Sequence, residues 1–168
     1  MASKDYRYTE IQAIMPPKMI WAIVALLLVV TGLFGYIYIA QEFLGRPVDE
    51  NSVPTHWALI IFIATALLTF YVSRLKMITR VDDESLTMSL GVIGKRQFLL
   101  ESIQSVRDYD GNPAADFLGY GYRIGIKQTG YIGREEKAIT LKIQEQKREL
   151  VITTADPEEL KSAIKPGE

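Results

Sequence analysis

Residues 19–40 read MIWAIVALLLVVTGLFGYIYIA, with no charge and no strongly polar side chain. At about 1.5 Å per residue a helix of this length reaches about 33 Å, enough to cross a hydrocarbon layer of roughly 30 Å. The run is too long for a signal-peptide core and no A-x-A-like site follows it, so the sequence predicts a retained helix. A second apolar run, residues 57–73, follows a connecting stretch at 41–56. Together they predict a transmembrane helical hairpin over 19–75, preceded by a short polar lead, 1–18. Trp21, Phe34, Tyr36, Tyr38 and Phe43 on the first span, and Trp57, Phe70 and Tyr71 on the second, suit the two membrane rims. Gly32 and Gly35 fall on nearly one face and are candidate helix-packing positions, three apart rather than the four of GxxxG.

The flanks set the expected orientation. Lys4, Arg7 and Lys18 precede the first span, and Arg74, Lys76 and Arg80 follow the second; Arg46 is the only basic residue of the loop, beside Glu42, Asp49 and Glu50. The positive-inside rule then puts both ends in the cytoplasm and the loop outside, in the cell (inner, cytoplasmic) membrane. Pro16-Pro17 mark the start of the first span, and Thr55 is the expected N-cap of the second. Tyr6, Tyr8, Ile11 and Ile14 leave the lead to be either an ordinary flank or a weak interfacial segment. His56, the single histidine, has no second imidazole or thiolate to work with and is expected as a polar flank of the second span.

The remainder is 76–168; from Arg74 to the end the chain is neutral in sum, with 15 basic and 15 acidic residues. No basic excess points to nucleic acid. With no cysteine in the chain, disulfides, thiolate metal sites and cysteine nucleophiles are excluded. After Lys76 the apolar period becomes two. Leu86, Met88 and Leu90 alternate on one face; Tyr120, Tyr122, Ile124 and Ile126 repeat the pattern, as do Ile139, Leu141 and Ile143. Shorter candidate strands cover 77–81, 95–99, 103–109 and 149–153, with turns at 91–94 and 144–147. Asp156, Pro157 and Glu159 then open a closing helix with an Asp capping box, and Leu160, Ala163 and Ile164 form its apolar stripe.

Seven short antiparallel strands and a C-terminal helix predict an all-β barrel of the pleckstrin-homology type. The chain resembles the prokaryotic two-span membrane proteins with a pleckstrin-homology-like (bacterial PH) domain, a family of unknown function. The resemblance rests on Tyr8-Thr-Glu-Ile-Gln12, Met77-Ile-Thr-Arg-Val81, Ser102-Ile-Gln-Ser-Val106, Gly119-Tyr-Gly-Tyr-Arg-Ile124 and Ile152-Thr-Thr-Ala-Asp-Pro-Glu-Glu-Leu160. It implies no catalytic residues. Phe117-Leu118 stand where the family pattern has more glycine and a tryptophan.

Other chemistries find little footing. Asp108, Asp110 and Asn112 alternate like an EF-hand loop, but Pro113 and Gly119 occupy the positions that need glycine and glutamate. Gly119, Gly121 and Gly125 miss the dinucleotide spacing and sit in a strand pattern. The acidic turn 81–85, taken as the first hairpin, repels a phosphorylated headgroup. Arg123, Lys127 and Arg134 are a candidate weak anion patch. The sequence therefore predicts no enzyme, no cofactor and no metal. It predicts a membrane-anchored module that docks a protein partner or further copies of itself. The alternatives are a sensor of lipid headgroups or membrane state and an accessory subunit of a transporter.

Overall fold

The structure is a computed structural model that describes residues 5–45, 53–91 and 93–165. Lys4, Arg46, Pro47, Asp49, Glu50 and Val92, all used above, lie outside those residues. The chain divides into two compact units: Pro17–Arg74, and Met1–Pro16 joined with Leu75–Glu168.

The first unit is a pair of helices, α1 (Pro17–Glu42) and α2 (Thr55–Arg74), both long and apolar enough to cross a membrane. Pro17 opens α1, where its missing N–H costs nothing. Among the described residues of these helices only Val24, Ala40 and Ala58 are buried, while Trp21, Leu26 and Val29 are each about two-thirds exposed. The helical hydroxyls turn inward onto their own backbone. Thr31 donates to Leu27 O, Thr65 to Ile61 O and Thr69 to Thr65 O, at 2.7–2.8 Å. In a medium without water this satisfies a hydroxyl that has no other partner. Thr55 is the first residue of α2, and its hydroxyl donates to Gln41 Oε1, while Gln41 Nε2 donates to Val53 O.

The second unit holds two sheets and a C-terminal helix. The first sheet is β1 (Tyr8–Ala13), β2 (Lys76–Val81), β3 (Ser85–Leu90) and β4 (Ile93–Leu99), in that order and antiparallel throughout. The second contains β5 (Ile103–Asp108), β6 (Gly121–Ile124), β7 (Gln128–Ile132), β8 (Ala138–Ile143) and β9 (Glu149–Thr153), in the order β5-β8-β9-β7-β6. A single turn of helix, α3 (Pro113–Asp116), precedes β6, and α4 (Pro157–Ile164) closes the described chain.

Three expectations change. The strands form two separate sheets and do not close into a barrel. The described strands number nine, not seven, and β7 pairs parallel to β9. One added strand is β7: the run expected as continuous through Ile126 reverses at Gly125, which hydrogen-bonds back to Gln128 O. The other is β1. The lead is neither a flank nor an interfacial segment, because Tyr8–Ala13 pairs with β2 from Tyr8↔Val81 to Ala13↔Lys76. The helical hairpin is therefore the connection between two neighbouring strands. It follows that the acidic turn 81–85 joins the second and third strands, and repulsion there says nothing about the first connection.

Polar contacts bind β1 to the second sheet. Tyr8 Oη shares a hydrogen bond with Thr154 Oγ1, Gln12 Nε2 donates to Thr153 O, and Ala155 N donates to Glu10. Burial and the neighbouring Glu10 carboxylate push the Tyr8 phenol well above its usual range. The side chain of Gln12 fills the space that a Cβ on Gly133 would need. Between the sheets lies one apolar core, including Met77, Leu86, Met88, Leu141, Ile152 and Leu160. Asp156 accepts from Glu159 N at 3.0 Å, as an N-cap should. The return arm of the expected capping box falls to Thr154, whose Oγ1 accepts from Asp156 N.

Candidate functional site

Two surfaces of the sheet unit stand out. The first is the outward face of β2–β4. Alternation buries Met77, Thr79 and Val81 and turns Ile78 and Arg80 the other way. The register sets Arg80 beside Thr87 and Thr87 beside Gln97, while Ile78 pairs with Ser89. Arg80, Thr87, Ser89, Lys95 and Gln97 thereby line one recess of about 210 Å³. The Tyr6 ring lies 5.2 Å from the Arg80 guanidinium carbon. Arg80 Nε is buried and has no hydrogen-bond partner. Asp82 also lines the recess, but its carboxylate accepts from Glu84 N, Ser85 N and Ser85 Oγ.

The second surface is the tip of the β6–β7 hairpin with the turn before it. Ile126 is 94% exposed, Leu118 89% and Ile124 63%. Leu118 also holds φ at +54°, a conformation that costs a non-glycine residue about 1–2 kcal/mol. Arg123 and Lys127 are exposed beside these aliphatics, and Arg148 Nε donates to Ile126 O.

The sequence-predicted patch is only partly assembled. Arg123 and Lys127 share the hairpin, but Arg134 lies past the opposite end of β7, bonded through its side chain to Glu135 and through its N–H to Ala13 O. In the helical unit Gly35 faces the Phe62 ring, where a Cβ would approach to 3.1 Å, and Gly32 has nothing within 4 Å. In the EF-hand-like loop Asp108 accepts from Lys161, and Asp116 accepts from the Tyr109 hydroxyl. Burial and the Asp116 carboxylate push the Tyr109 phenol up to about 12. Asn112 caps α3 by accepting from Ala115 N. Among the described residues no group of three or more His, Cys, Asp or Glu side chains is placed to hold a metal ion.

Sequence reasoning missed the recess because Lys95 belongs to no motif and Arg80 stood only in the short strand motif 77–81; the pairing of three strands puts both on one recess. It assigned Ile124 and Ile126 to a strand face, where their alternation looked like a core signal. No family model matches the chain, and neither does any curated protein.

Proposed function

We propose that this chain is a two-span protein of the cell membrane with both ends cytoplasmic, whose pleckstrin-homology-like unit is a non-enzymatic docking module. The carrying observation is the exposed aliphatic tip of Leu118, Ile124 and Ile126. Three large apolar side chains in water, one on strained backbone, bring the fold no stability and favour a partner that covers them. The tip also lies away from the attachment point. Lys127 precedes β7, whereas Arg134, two residues past its other end, donates its N–H to the O of Ala13, where the chain leaves for α1.

The partner proposed is a second copy of this chain. Its tip is basic, with Arg123 and Lys127, so two tips repel. The chain also carries a complementary surface, where Asp83, Glu84 and Glu101 surround Leu99, which is 51% exposed. Tip to acidic surface is a head-to-tail contact that forms rings or rows. Confinement to one membrane raises the effective concentration for such a contact.

The absence of native cysteine makes the test clean. Two tagged variants, Ile126→Cys and Glu84→Cys, are reconstituted together in vesicles and treated with a short bismaleimide. The expected product is the mixed pair. A dominant Ile126→Cys self-pair, or quenching of a label at position 126 by lipid-borne quenchers, defeats the proposal.

A further inference from the structure

We infer that the contact between copies is a knob and a seat. Leu99 of one copy enters the groove between α3 and the β6–β7 hairpin of the next, and Glu84 and Glu101 beside it meet Arg123 and Lys127 at the groove's rim. The inference rests on the docking reading above and adds which side chains select the partner.

The seat is a preformed groove of about 640 Å³. Tyr109, Phe117 and Leu118 line it from the α3 side, Ile124 and Ile126 from the hairpin side. Its volume falls within the roughly 300–1,000 Å³ of pockets that take small ligands, so a leucine side chain fits together with the stems of its neighbours. The walls are held in place. Tyr109 Oη donates to Asp116 at 2.9 Å, and the Phe117 ring lies so near Gly130 that a Cβ there would approach it to 3.0 Å. Gly119 holds φ at +129° and lies against the Arg123 guanidinium, which a Cβ at that position would meet at 2.9 Å. The knob is fixed as well. Leu99 ends β4; Ser102 Oγ donates to its O at 2.6 Å, and the N–H of Leu100 donates to Glu84 O at 2.9 Å. Glu84 and Glu101 thereby stand beside a leucine that is 51% exposed.

Charge selects the pairing. Asp83 already accepts from Arg7, but Glu84, Glu101, Arg123 and Lys127 make no ion pair among the described residues. Two acids surround an apolar knob and two bases an apolar seat. Knob against knob, or seat against seat, sets like charges together; only knob against seat matches them. Asp116 is the one carboxylate in the groove. It belongs to the α3 wall and accepts from Tyr109, which directs the incoming acids to the hairpin side. In such a contact the buried apolar anchor carries most of the affinity, and the charged rim sets partner and register.

The test uses the full chain in vesicles. Ser162→Cys, exposed on α4, carries a donor or an acceptor dye, and energy transfer between copies is followed as lipid dilutes them. Two charge-reversed chains are made, Arg123→Glu with Lys127→Glu and Glu84→Lys with Glu101→Lys; all four positions are exposed. Each chain alone is expected to associate roughly tenfold more weakly than the unmodified chain. Mixed together, their knobs and seats are complementary again, and association is expected to return to the unmodified level, which misfolded chains could not do. Leu99→Ser in both members of the mixture is expected to remove that recovery. Suppose unmodified copies associate. Charge-reversed chains that associate undiminished alone, a mixture that does not recover, or a recovery that Leu99→Ser leaves intact then overturns the knob and seat, and docking falls to other side chains. Unmodified copies that do not associate overturn the docking reading and this inference with it.

Discussion

Val29 in α1 and Ile152 in β9 are both β-branched aliphatics in regular structure, yet the first is 69% exposed and the second fully buried. The same opposition runs through the regions they belong to. On α1 and α2 most apolar side chains are exposed or half-buried, and the hydroxyls of Thr31, Thr65 and Thr69 fold back onto their own helices. In the sheet unit the apolar side chains face inward, and Tyr8, Gln12, Thr153 and Thr154 carry hydrogen bonds from one sheet to the other. Apolar content alone does not separate these cases. The destination of the polar groups does, because a hydroxyl turned to its own i−4 carbonyl asks nothing of its surroundings.

Four substitutions break or sharpen that contrast. The largest effect is expected for Ile152→Ala, which opens a cavity between the sheets and lowers unfolding free energy by about 4 kcal/mol in denaturant titration. The next uses one change in both regions. Val29→Arg is expected to cost about 3 kcal/mol of membrane insertion, read from the membrane-bound fraction. Ile126→Arg is expected to leave both insertion and thermal stability within about 0.5 kcal/mol. Equal tolerance at the two positions removes the contrast. The smallest is Gln12→Ala, which strips Thr153 O and Glu135 N of their side-chain partner. A loss of about 2 kcal/mol is expected in thermal unfolding; a loss below about 0.5 kcal/mol shows that β1 is held by its strand pairing alone.

What was legible in the sequence was local. The helices follow from two uninterrupted apolar runs, and α4 follows from Asp156, Pro157 and a three-residue stripe. β1 was illegible because its alternation is inverted: Gln12 faces the core and Ile11 stands 55% exposed. A glutamine reads as a surface residue until its partners, 141 positions away at Thr153 and 123 away at Glu135, are known. β7 was hidden for a related reason. Ile124 and Ile126 carry the strand signal past Gly125, although the chain reverses there and both side chains point to solvent. Among the basic residues, type and spacing did not distinguish Arg134 from Arg123 and Lys127; the length of β7 did.

The pairing of Ala13 with Lys76 has a consequence for biosynthesis. The N-terminal strand leaves the ribosome first and must wait for 62 further residues before its neighbour exists. At ~5–20 residues per second that delay is about 3–12 s. For a hairpin that crosses a bilayer, the two strands can meet after two crossings or none, but not after one. One missed crossing leaves them in different compartments, so a paired β1 and β2 exclude a half-threaded hairpin.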